Sequence, residues 1–267
     1  MPNVISIQSQ VAFGCAGNTA AVPILQRLGV TVWPVPTTLL SNTPIYPRLE
    51  GGPVKAARLA AILDGLLERA GDNGVDAVLT GYIASPENAR AVAGFLDRAR
   101  RTNPDMIYLC DPVMGDARKG LYVPDKVTEA ITETLAPKAD IITPNLFEAM
   151  MLTNSEVPEP PALAQRIAGS IDGIAVIKNV PGNGLIENLA SGRQQNSSST
   201  CNRIDAHFAG TGDAFSAAFL GFYLRDRDVA AALEQATALV FALIDEANAL
   251  GLKELDFGVL RGWERTV

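Results

Sequence analysis

Near its C-terminal end the chain reads Ala209-Gly-Thr-Gly-Asp-Ala-Phe215, a turn of small residues that runs directly into an apolar segment. Glycine has no side chain and tolerates positive φ, so Gly210 and Gly212 allow the backbone to pass closely around an anion. The apolar segment predicts a helix, whose first N–H groups and positive dipole end would face that anion. Asp213 places a carboxylate beside it. The stretch predicts either a phosphoryl-transfer centre, which needs amides and a base, or a helix that is merely capped by an aspartate.

Outward from this stretch, short apolar runs alternate with amphipathic segments along the chain. We predict strands over residues 4–8, 31–35, 77–80, 107–110, 141–142, 174–177, 184–189 and 197–203. Helices are predicted over residues 17–28, 53–70, 86–102, 124–135, 211–224 and 229–250, and residues 146–170 are predicted to be helical with a proline-rich break at 158–161. This alternation is typical of a mainly parallel sheet with helices on both faces, which is an α/β fold.

The composition bounds the class of protein. The chain has 267 residues, of which 48% are hydrophobic and 19% are charged, and its net charge is −7. This length suits one large α/β domain or two small ones, and because no linker stands out we predict a single domain over residues 1–267. A nucleic-acid-binding protein needs a basic surface, so the acidic balance argues against a nucleic-acid partner.

The sequence gives little indication of a membrane-bound or secreted protein. The longest apolar stretch, residues 229–250, is interrupted by Glu234, Asp245 and Glu246, so we predict an amphipathic helix and no membrane span. The N-terminus runs directly into a strand-like segment, without the pattern of a signal peptide. Three cysteines lie far apart and indicate neither a disulfide nor a metal site, so we expect a cytoplasmic protein. The single histidine, His207, comes without a nucleophile motif, and we predict no chemical role for it.

Polar clusters follow the predicted strands at the points where they end. In sheets of this kind, ligands bind at the carboxyl ends of the strands, so we expect these clusters to converge on one site. They are Ser9-Gln10 with residues 14–18 after the first strand, Gly81-Tyr82 after the third, residues 111–116 after the fourth and residues 143–148 after the fifth.

Two of these clusters contain carboxylates. Asp111 and Asp116 flank a strand exit, where they would hold Mg²⁺ through water or serve as ordinary turn residues. Asn145 and Glu148 have the spacing of a capping box at the start of a helix. The functional alternative is that Glu148 reaches a metal-bound water near nucleotide phosphates.

Two polar loops are candidates for covering a ligand. Residues 116–120 form either a lid, in which Arg118 or Lys119 covers phosphates, or a solvated loop. Residues 40–47 combine polar groups, an aromatic ring and two prolines, and they form either a flap over a substrate or a long surface loop.

Two common phosphate-binding motifs are missing from the sequence. Gly115 and Gly120 have the spacing of a Walker A loop, but Leu121 follows where that loop requires lysine. The first strand-to-helix turn contains Gly14 and Gly17 without a G-x-G-x-x-G fingerprint. The sequence therefore argues against a P-loop protein and against an NAD-dependent dehydrogenase.

Taken together, six motifs in this order resemble the vitamin B6 kinases (pyridoxal, pyridoxine and pyridoxamine kinases) of the ribokinase superfamily. The resemblance covers nearly the whole chain, and the Gly-Thr-Gly-Asp motif is specific to the superfamily. The motifs are Ser6-Ile-Gln-Ser9-Gln-Val, Gly17-Asn18-x-Ala20-Ala21-Val, Thr38-Leu-Leu-Ser41-Asn42-Thr43-Pro44, Asp111-Pro112-Val113-x-Gly115-Asp116, Thr143-Pro144-Asn145-x-x-Glu148 and Gly210-Thr211-Gly212-Asp213.

The resemblance implies a ribokinase-like three-layer sandwich, with a central, mostly parallel sheet flanked by helices. It implies ATP-dependent phosphorylation of the 5′-hydroxymethyl group of pyridoxal, and of pyridoxine and pyridoxamine, in B6 salvage. It also implies Mg²⁺, a monovalent cation that is usually K⁺, and a cytoplasmic homodimer.

The resemblance assigns roles to individual residues as well. Asp213 would be the catalytic base, and the backbone amides of Gly210, Thr211 and Gly212 would form the anion hole. The pyridine ring and its substituents would face Ser9, Thr43 and Tyr82. The nucleotide would be bound by Asp111, Asp116, Thr143, Asn145 and Glu148, with Asp111 and Glu148 also near the metal.

The chain departs from the family pattern at several positions. Phe13 stands where tyrosine is common, Ile45 where histidine is common, and Cys15 at a variable polar position. Lys178-Asn179 occupies a position near the nucleotide that is often Thr-Ser. Lys178 either engages the nucleotide or is a solvated charge at a strand end, and we favour the solvated charge. Because these departures touch the parts that read the substrate, two alternatives stay open: a hydroxymethylpyrimidine kinase, and a non-catalytic protein that binds pyridoxal phosphate.

Overall fold

The computed structural model describes residues 1–71, 74–157, 159–192 and 195–258. Its strands are β1 (Asn3–Phe13), β2 (Thr31–Asn42), β3 (Gly51–Pro53), β4 (Ala77–Thr80), β5 (Ile107–Cys110), β6 (Gly115–Asp116), β7 (Gly120–Leu121), β8 (Ile141–Ile142), β9 (Ile174–Pro181), β10 (Leu185–Ser191) and β11 (Asn196–Asn202). Its helices are α1 (Asn18–Arg27), α2 (Ala56–Ala70), α3 (Pro86–Thr102), α4 (Asp125–Ala130), α5 (Leu146–Leu152), α6 (Pro160–Ile171), α7 (Thr211–Asp226) and α8 (Val229–Ala249). The predicted domain over 1–267 includes residues outside this description, and the single domain stays a prediction. The segment predicted to be helical over 146–170 forms two helices, α5 and α6, and Pro158 of the predicted break lies outside the described residues.

One sheet organises the described chain, with strand order β11-β10-β9-β8-β5-β4-β1-β2-β3. The strands from β9 to β2 in this order pair in parallel, and β3, β10 and β11, toward the two ends of the sheet, pair antiparallel. The chain leaves β1 toward β2 on one side and later returns to β4 on the other. The carboxyl end of β1 therefore lies at the point where the strand order reverses, which is where ligands bind in such sheets.

Both faces of the sheet are buried, which explains the continuous apolar runs of its central strands. Neighbouring residues within a strand enter different cores: Val4 packs with α1, α7 and α8, whereas Ile5 packs with α2 to α6. In the neighbouring strand β4, Leu79 likewise packs on the side of α1, α7 and α8, and Val78 packs on the side of α2 to α6. The predicted three-layer α/β architecture is thus confirmed.

The first two strands are longer than predicted. They continue to Phe13 and Asn42, and the register between them shifts between Gln8 and Ser9. β4 pairs only with residues 4–7 of β1, so beyond that point β1 and β2 pair with each other, and β3 adds to them. Residues 40–42 are therefore strand and the loop covers residues 43–50, because mutual pairing satisfies backbone groups that local sequence alone leaves open. We call residues 9–13, 38–47 and 51–53 the flap.

Among the described residues, no helix has the length and apolarity needed to cross a membrane. The long C-terminal helix α8 instead packs its apolar residues into the core formed with α1 and α7.

Candidate active site

A cavity of about 1440 Å³ opens at the carboxyl edge of the sheet. The flap forms one side of the cavity, and the β6–β7 hairpin and α5 form another. The start of α7 and the middle of α8 form the rest of its wall. Most of the predicted site residues line it, which confirms that the polar clusters converge: Ser9, Tyr82, Asp111, Asp116, Asn145, Glu148, Gly210, Thr211, Gly212 and Asp213. The roles assigned to these residues stay predictions.

Asp213 lies in the first turn of α7, where the predicted turn of small residues begins the helix. Gly210 has φ of 80°, and a Cβ there would collide with the carbonyl oxygen of Cys15, so only glycine fits. The Oδ2 atom of Asp213 accepts a hydrogen bond of 2.8 Å from the backbone N–H of Gly17. Burial and the charge of Asp111 raise the pKa of Asp213 to about 6, although the Gly17 N–H acts in the opposite direction.

The start of α7 also offers backbone donors. The first N–H groups of any helix have no carbonyl partner within the helix, and at α7 these belong to Thr211, Gly212 and Asp213. The site therefore combines a carboxylate of raised pKa with amides suited to an anion, which are the two parts required for transfer of a phosphoryl group.

Asp111 is 1% exposed at the end of β5. Its Oδ2 atom accepts hydrogen bonds from Nζ of Lys178 at 2.5 Å and from Oγ of Ser216 at 2.8 Å. Its Oδ1 atom is buried and has no hydrogen-bond partner among the described residues. An unpartnered oxygen on a carboxylate that lines the cavity fits a Mg²⁺ ion, which proteins commonly hold through one or two carboxylates together with water and substrate phosphates.

Lys178 differs from the prediction. It is 3% exposed, and its ammonium group bonds Asp111, Ser216 and, at 3.5 Å, the carbonyl oxygen of Gly212. The interpretation as a solvated charge is therefore wrong. Asp111 precedes Lys178 by 67 residues, so neither local composition nor periodicity carries a signal for this ion pair.

Asn145 and Glu148 form the predicted capping box at the start of α5, with both reciprocal hydrogen bonds present. Glu148 does more than cap, because its Oε1 atom also accepts the N–H of Met114 at 3.0 Å. Asn145 donates from Nδ2 to the carbonyl oxygen of Gly115 at 2.8 Å. The pair thereby fixes the loop after β5 against α5.

Glu148 is 2% exposed, and burial and the charge of Asp111 raise its pKa to about 8. Backbone N–H groups bond both of its carboxylate oxygens. These bonds fit contact with a metal through water better than direct ligation.

Thr143 and Thr43 are fully buried, behind the residues that line the cavity. The hydroxyl of Thr143 shares a hydrogen bond of 2.8 Å with that of Ser216. The hydroxyl of Thr43 donates to Oε1 of Glu254 at 2.9 Å. The structure thus places these two predicted site residues where they support others.

Glu254 is a residue that the sequence interpretation missed. Its two carboxylate oxygens join the flap to the loop after β1, since Oε2 accepts the N–H of Cys15 at 3.1 Å. No motif surrounds Glu254, and its partners lie more than 200 positions earlier, so sequence offers no signal for it. Phe13 and Tyr46 make an edge-to-face ring contact at 5.4 Å on the same flap.

Residues 116–120, for which we predicted either a lid or a solvated loop, form the turn of the short β6–β7 hairpin. Asp116 caps its turn by accepting the N–H groups of Arg118 and Lys119, both at 2.8 Å. Nη2 of Arg118 lies 2.6 Å from Nε2 of His207, on the loop that precedes α7. The hairpin therefore lies against the loop before α7, and His207, for which we predicted no chemical role, contacts the hairpin.

Comparison with known proteins fits this geometry. Residues 12–257 match the family model described as phosphomethylpyrimidine kinase. The chain belongs to this kinase family. The pyridoxal kinase PdxY of Corynebacterium diphtheriae is 35% identical over 261 residues, which are 95% of this chain and 92% of the relative.

Solved structures agree with this assignment. A pyridoxal kinase from Leishmania donovani in complex with ADP and pyridoxamine superposes with a TM-score of 0.88 at 28% identity, covering 98% of the kinase described here and 94% of that chain. A putative phosphomethylpyrimidine kinase from Bacteroides thetaiotaomicron gives a TM-score of 0.90 at 25% identity, covering 100% and 95% of the two chains. The resemblance to the vitamin B6 kinases, the ribokinase-like fold and the enzyme class are thereby confirmed.

Proposed function

We propose that the kinase transfers the γ-phosphoryl group of ATP to the 5′-hydroxymethyl group of pyridoxal, and also acts on pyridoxine and pyridoxamine. The observation that carries the proposal is the position of Asp213. It lies at the start of α7, held by the Gly17 N–H, on the wall of a cavity large enough for a nucleotide and a small ring together.

The chemistry follows from the residues around that carboxylate. Asp213 accepts the proton of the substrate hydroxyl as its oxygen attacks phosphorus, and a pKa of about 6 keeps Asp213 ionised at neutral pH. The amides at the start of α7 take up negative charge on the transferred group. The β6–β7 hairpin, with Arg118 at its turn, would cover the phosphates and exclude water.

The nucleotide side is formed by Asp111, Asp116, Asn145 and Glu148, with Thr143 behind them. Mg²⁺ would be held through Oδ1 of Asp111 and, by way of water, through Glu148. When bound with ATP, the ion would neutralise charge on the phosphates.

The substrate side is formed by the flap together with Ser9 and Tyr82. Thr43 acts there indirectly, through Glu254, by fixing the loop that carries Ile45. Ile45 and Phe13 present apolar surface where the family commonly presents a histidine and a tyrosine. We therefore propose that this side selects the ring more by shape and apolar contact than by side-chain hydrogen bonds.

The test is ATP consumption by the purified protein with Mg²⁺, offered pyridoxal, pyridoxine, pyridoxamine, hydroxymethylpyrimidine and ribose in parallel. Turnover of the pyridines supports the proposal. Turnover of the pyrimidine alone would show that the enzyme is a hydroxymethylpyrimidine kinase, and the role proposed for Asp213 would be unchanged. Binding of pyridoxal phosphate without turnover of any acceptor would instead indicate the non-catalytic binding protein.

From the resemblance to the vitamin B6 kinases and from the cysteine pattern of the sequence, we further propose a homodimer that acts in the cytoplasm. Light scattering of the purified protein and localisation of a tagged chain in cells test these two points separately.

A further inference from the structure

The ammonium group of Lys178 lies among oxygen atoms beside the catalytic helix. Its Nζ atom is 2.5 Å from Oδ2 of Asp111, 3.2 Å from Oγ of Ser216 and 3.5 Å from the carbonyl oxygen of Gly212. Carboxylate, hydroxyl and carbonyl oxygens are the hard ligands that also suit alkali and alkaline-earth cations. A lysine ammonium has three N–H donors, so these three oxygens saturate it.

These contacts join three separate parts of the site. Asp111 ends β5, Lys178 is near the end of β9, and Gly212 and Ser216 lie in the first turns of α7. Gly212 directly precedes Asp213, and a Cβ on Gly212 would lie 3.3 Å from Nζ. The ammonium group thus pins the start of α7, and with it the amides that face the transferred phosphoryl group, to the edge of the sheet.

The positive charge matters because the surroundings are acidic. Burial raises the pKa values of Asp111, Glu148 and Asp213, and the charge of Lys178 acts in the opposite direction on all three. A buried carboxylate without a compensating cation is strongly destabilising, so this cluster requires a positive charge within it.

The family resemblance implies K⁺ as an activator, but the residues present do not fit it here. Lys178 stands where the pattern often has threonine, so a hydroxyl group is replaced by a cationic side chain. The oxygens that would surround an ion beside the start of α7 are already bonded to Nζ. We propose that Lys178 supplies the monovalent positive charge of this site from within the chain, so that the kinase works without K⁺.

This inference rests on the proposed function, and its test is designed to separate the two. Wild-type protein and the variants Lys178→Thr, Lys178→Met and Lys138→Met are compared in KCl, NH₄Cl and tetramethylammonium chloride at equal ionic strength. Pyridoxal phosphorylation and Tm are both measured. Lys138→Met is the matched control, since Lys138 pairs with Asp97 at the surface.

For the wild-type protein and the control we expect the same rate and the same Tm in all three salts. Lys178→Thr should lose about 100-fold in rate in tetramethylammonium, because a preorganised positive charge is removed. K⁺ or NH₄⁺ should restore much of that rate and raise Tm, since an ion that binds only the folded state stabilises it. Lys178→Met should be rescued by neither ion, because its side chain fills the space without supplying a charge.

A wild-type rate or Tm that rises with K⁺ overturns the inference, and this result needs no variant to fold. A Lys178→Thr protein that folds but gains neither rate nor Tm from K⁺ overturns it as well. If no vitamer is turned over, the proposed function fails, and the salt dependence of Tm in the wild-type and Lys178→Thr proteins still decides the role of Lys178.

Discussion

The backbone N–H of Gly17 donates a hydrogen bond of 2.8 Å to Oδ2 of Asp213, across 196 positions of sequence. The bond fixes one oxygen of a carboxylate that lines the cavity. The turn between β1 and α1 thereby orients the group to which we assign the proton transfer, and this arrangement has direct consequences for variants of Asp213.

Asp213→Asn should lower kcat by about 100-fold or more, since general base catalysis typically contributes that much. The amide oxygen of asparagine still accepts the Gly17 N–H, so the fold should persist, which thermal unfolding checks. The matched control is Asp226→Asn at the exposed end of the same helix, and it should leave kcat unchanged. An unaltered kcat in Asp213→Asn would remove the base assignment.

The dependence of activity on pH should report the same group. Because the pKa of Asp213 is raised to about 6, its base form is lost as pH falls through about 6, and kcat/KM should fall with it. The midpoint of this acidic fall in kcat/KM should be the same for pyridoxal and pyridoxine. Because the two substrates ionise differently, a shared midpoint would assign the fall to the enzyme. A midpoint near 8 would point to Glu148, whose pKa is raised to about 8.

The contribution of Asp213 to the stability of the fold should change with pH in the opposite direction to its contribution to activity. A carboxyl whose folded pKa is raised takes up its proton more readily in the folded state, so its destabilising effect is full above about pH 6 and fades as pH falls toward the unfolded value of 3.8. Asp213→Asn should therefore raise Tm at pH 7.5, and this gain should disappear between about pH 6 and 4. A gain that grows on acidification would contradict the raised pKa.

Asn145→Ala should weaken both the fold and the nucleotide side. It removes the cap of α5 and the hydrogen bond to Gly115, and loss of such a cap typically costs about 1–2 kcal/mol. The KM for ATP should rise as the loop after β5 loosens. The control is Asp228→Ala, which removes the cap of α8 and should lower the free energy of unfolding similarly with no change in that KM. If the two variants have equal KM values for ATP, Asn145 only caps α5 and does not support the nucleotide side.

Glu254→Ala should raise the KM for pyridoxal by about tenfold, since hydrogen bonds to a charged group each contribute about 1.5–3 kcal/mol. Its carboxylate holds Thr43 of the flap and the Cys15 N–H, whereas neighbouring Asp256 bonds Gly258. Asp256→Ala is thus the control and should leave KM unchanged. If the KM for ATP rises instead, Glu254 supports the nucleotide side and not the flap.

Much of the architecture could be predicted from sequence, because the signals are local. Apolar runs buried on both faces gave β4 and β5 with their observed bounds, and the glycines around Thr211 marked the start of α7. The parts that could not be predicted depend on distant partners. Lys178 resembles any lysine at a strand end until Asp111 is placed beside it, and β1 extends to Phe13 only because β2 pairs with it.

The anchoring of the flap by Glu254 also determines when, during synthesis of the chain, the flap can become fixed. Cys15 leaves the ribosome 239 residues before the carboxylate that bonds its N–H. A nascent chain long enough to contain Asp213 still lacks this anchor, so it carries the carboxylate to which we assign the proton transfer with an unsecured flap. Competence to hold a vitamer would then appear late in synthesis, after the residues to which we assign the phosphoryl transfer have been made.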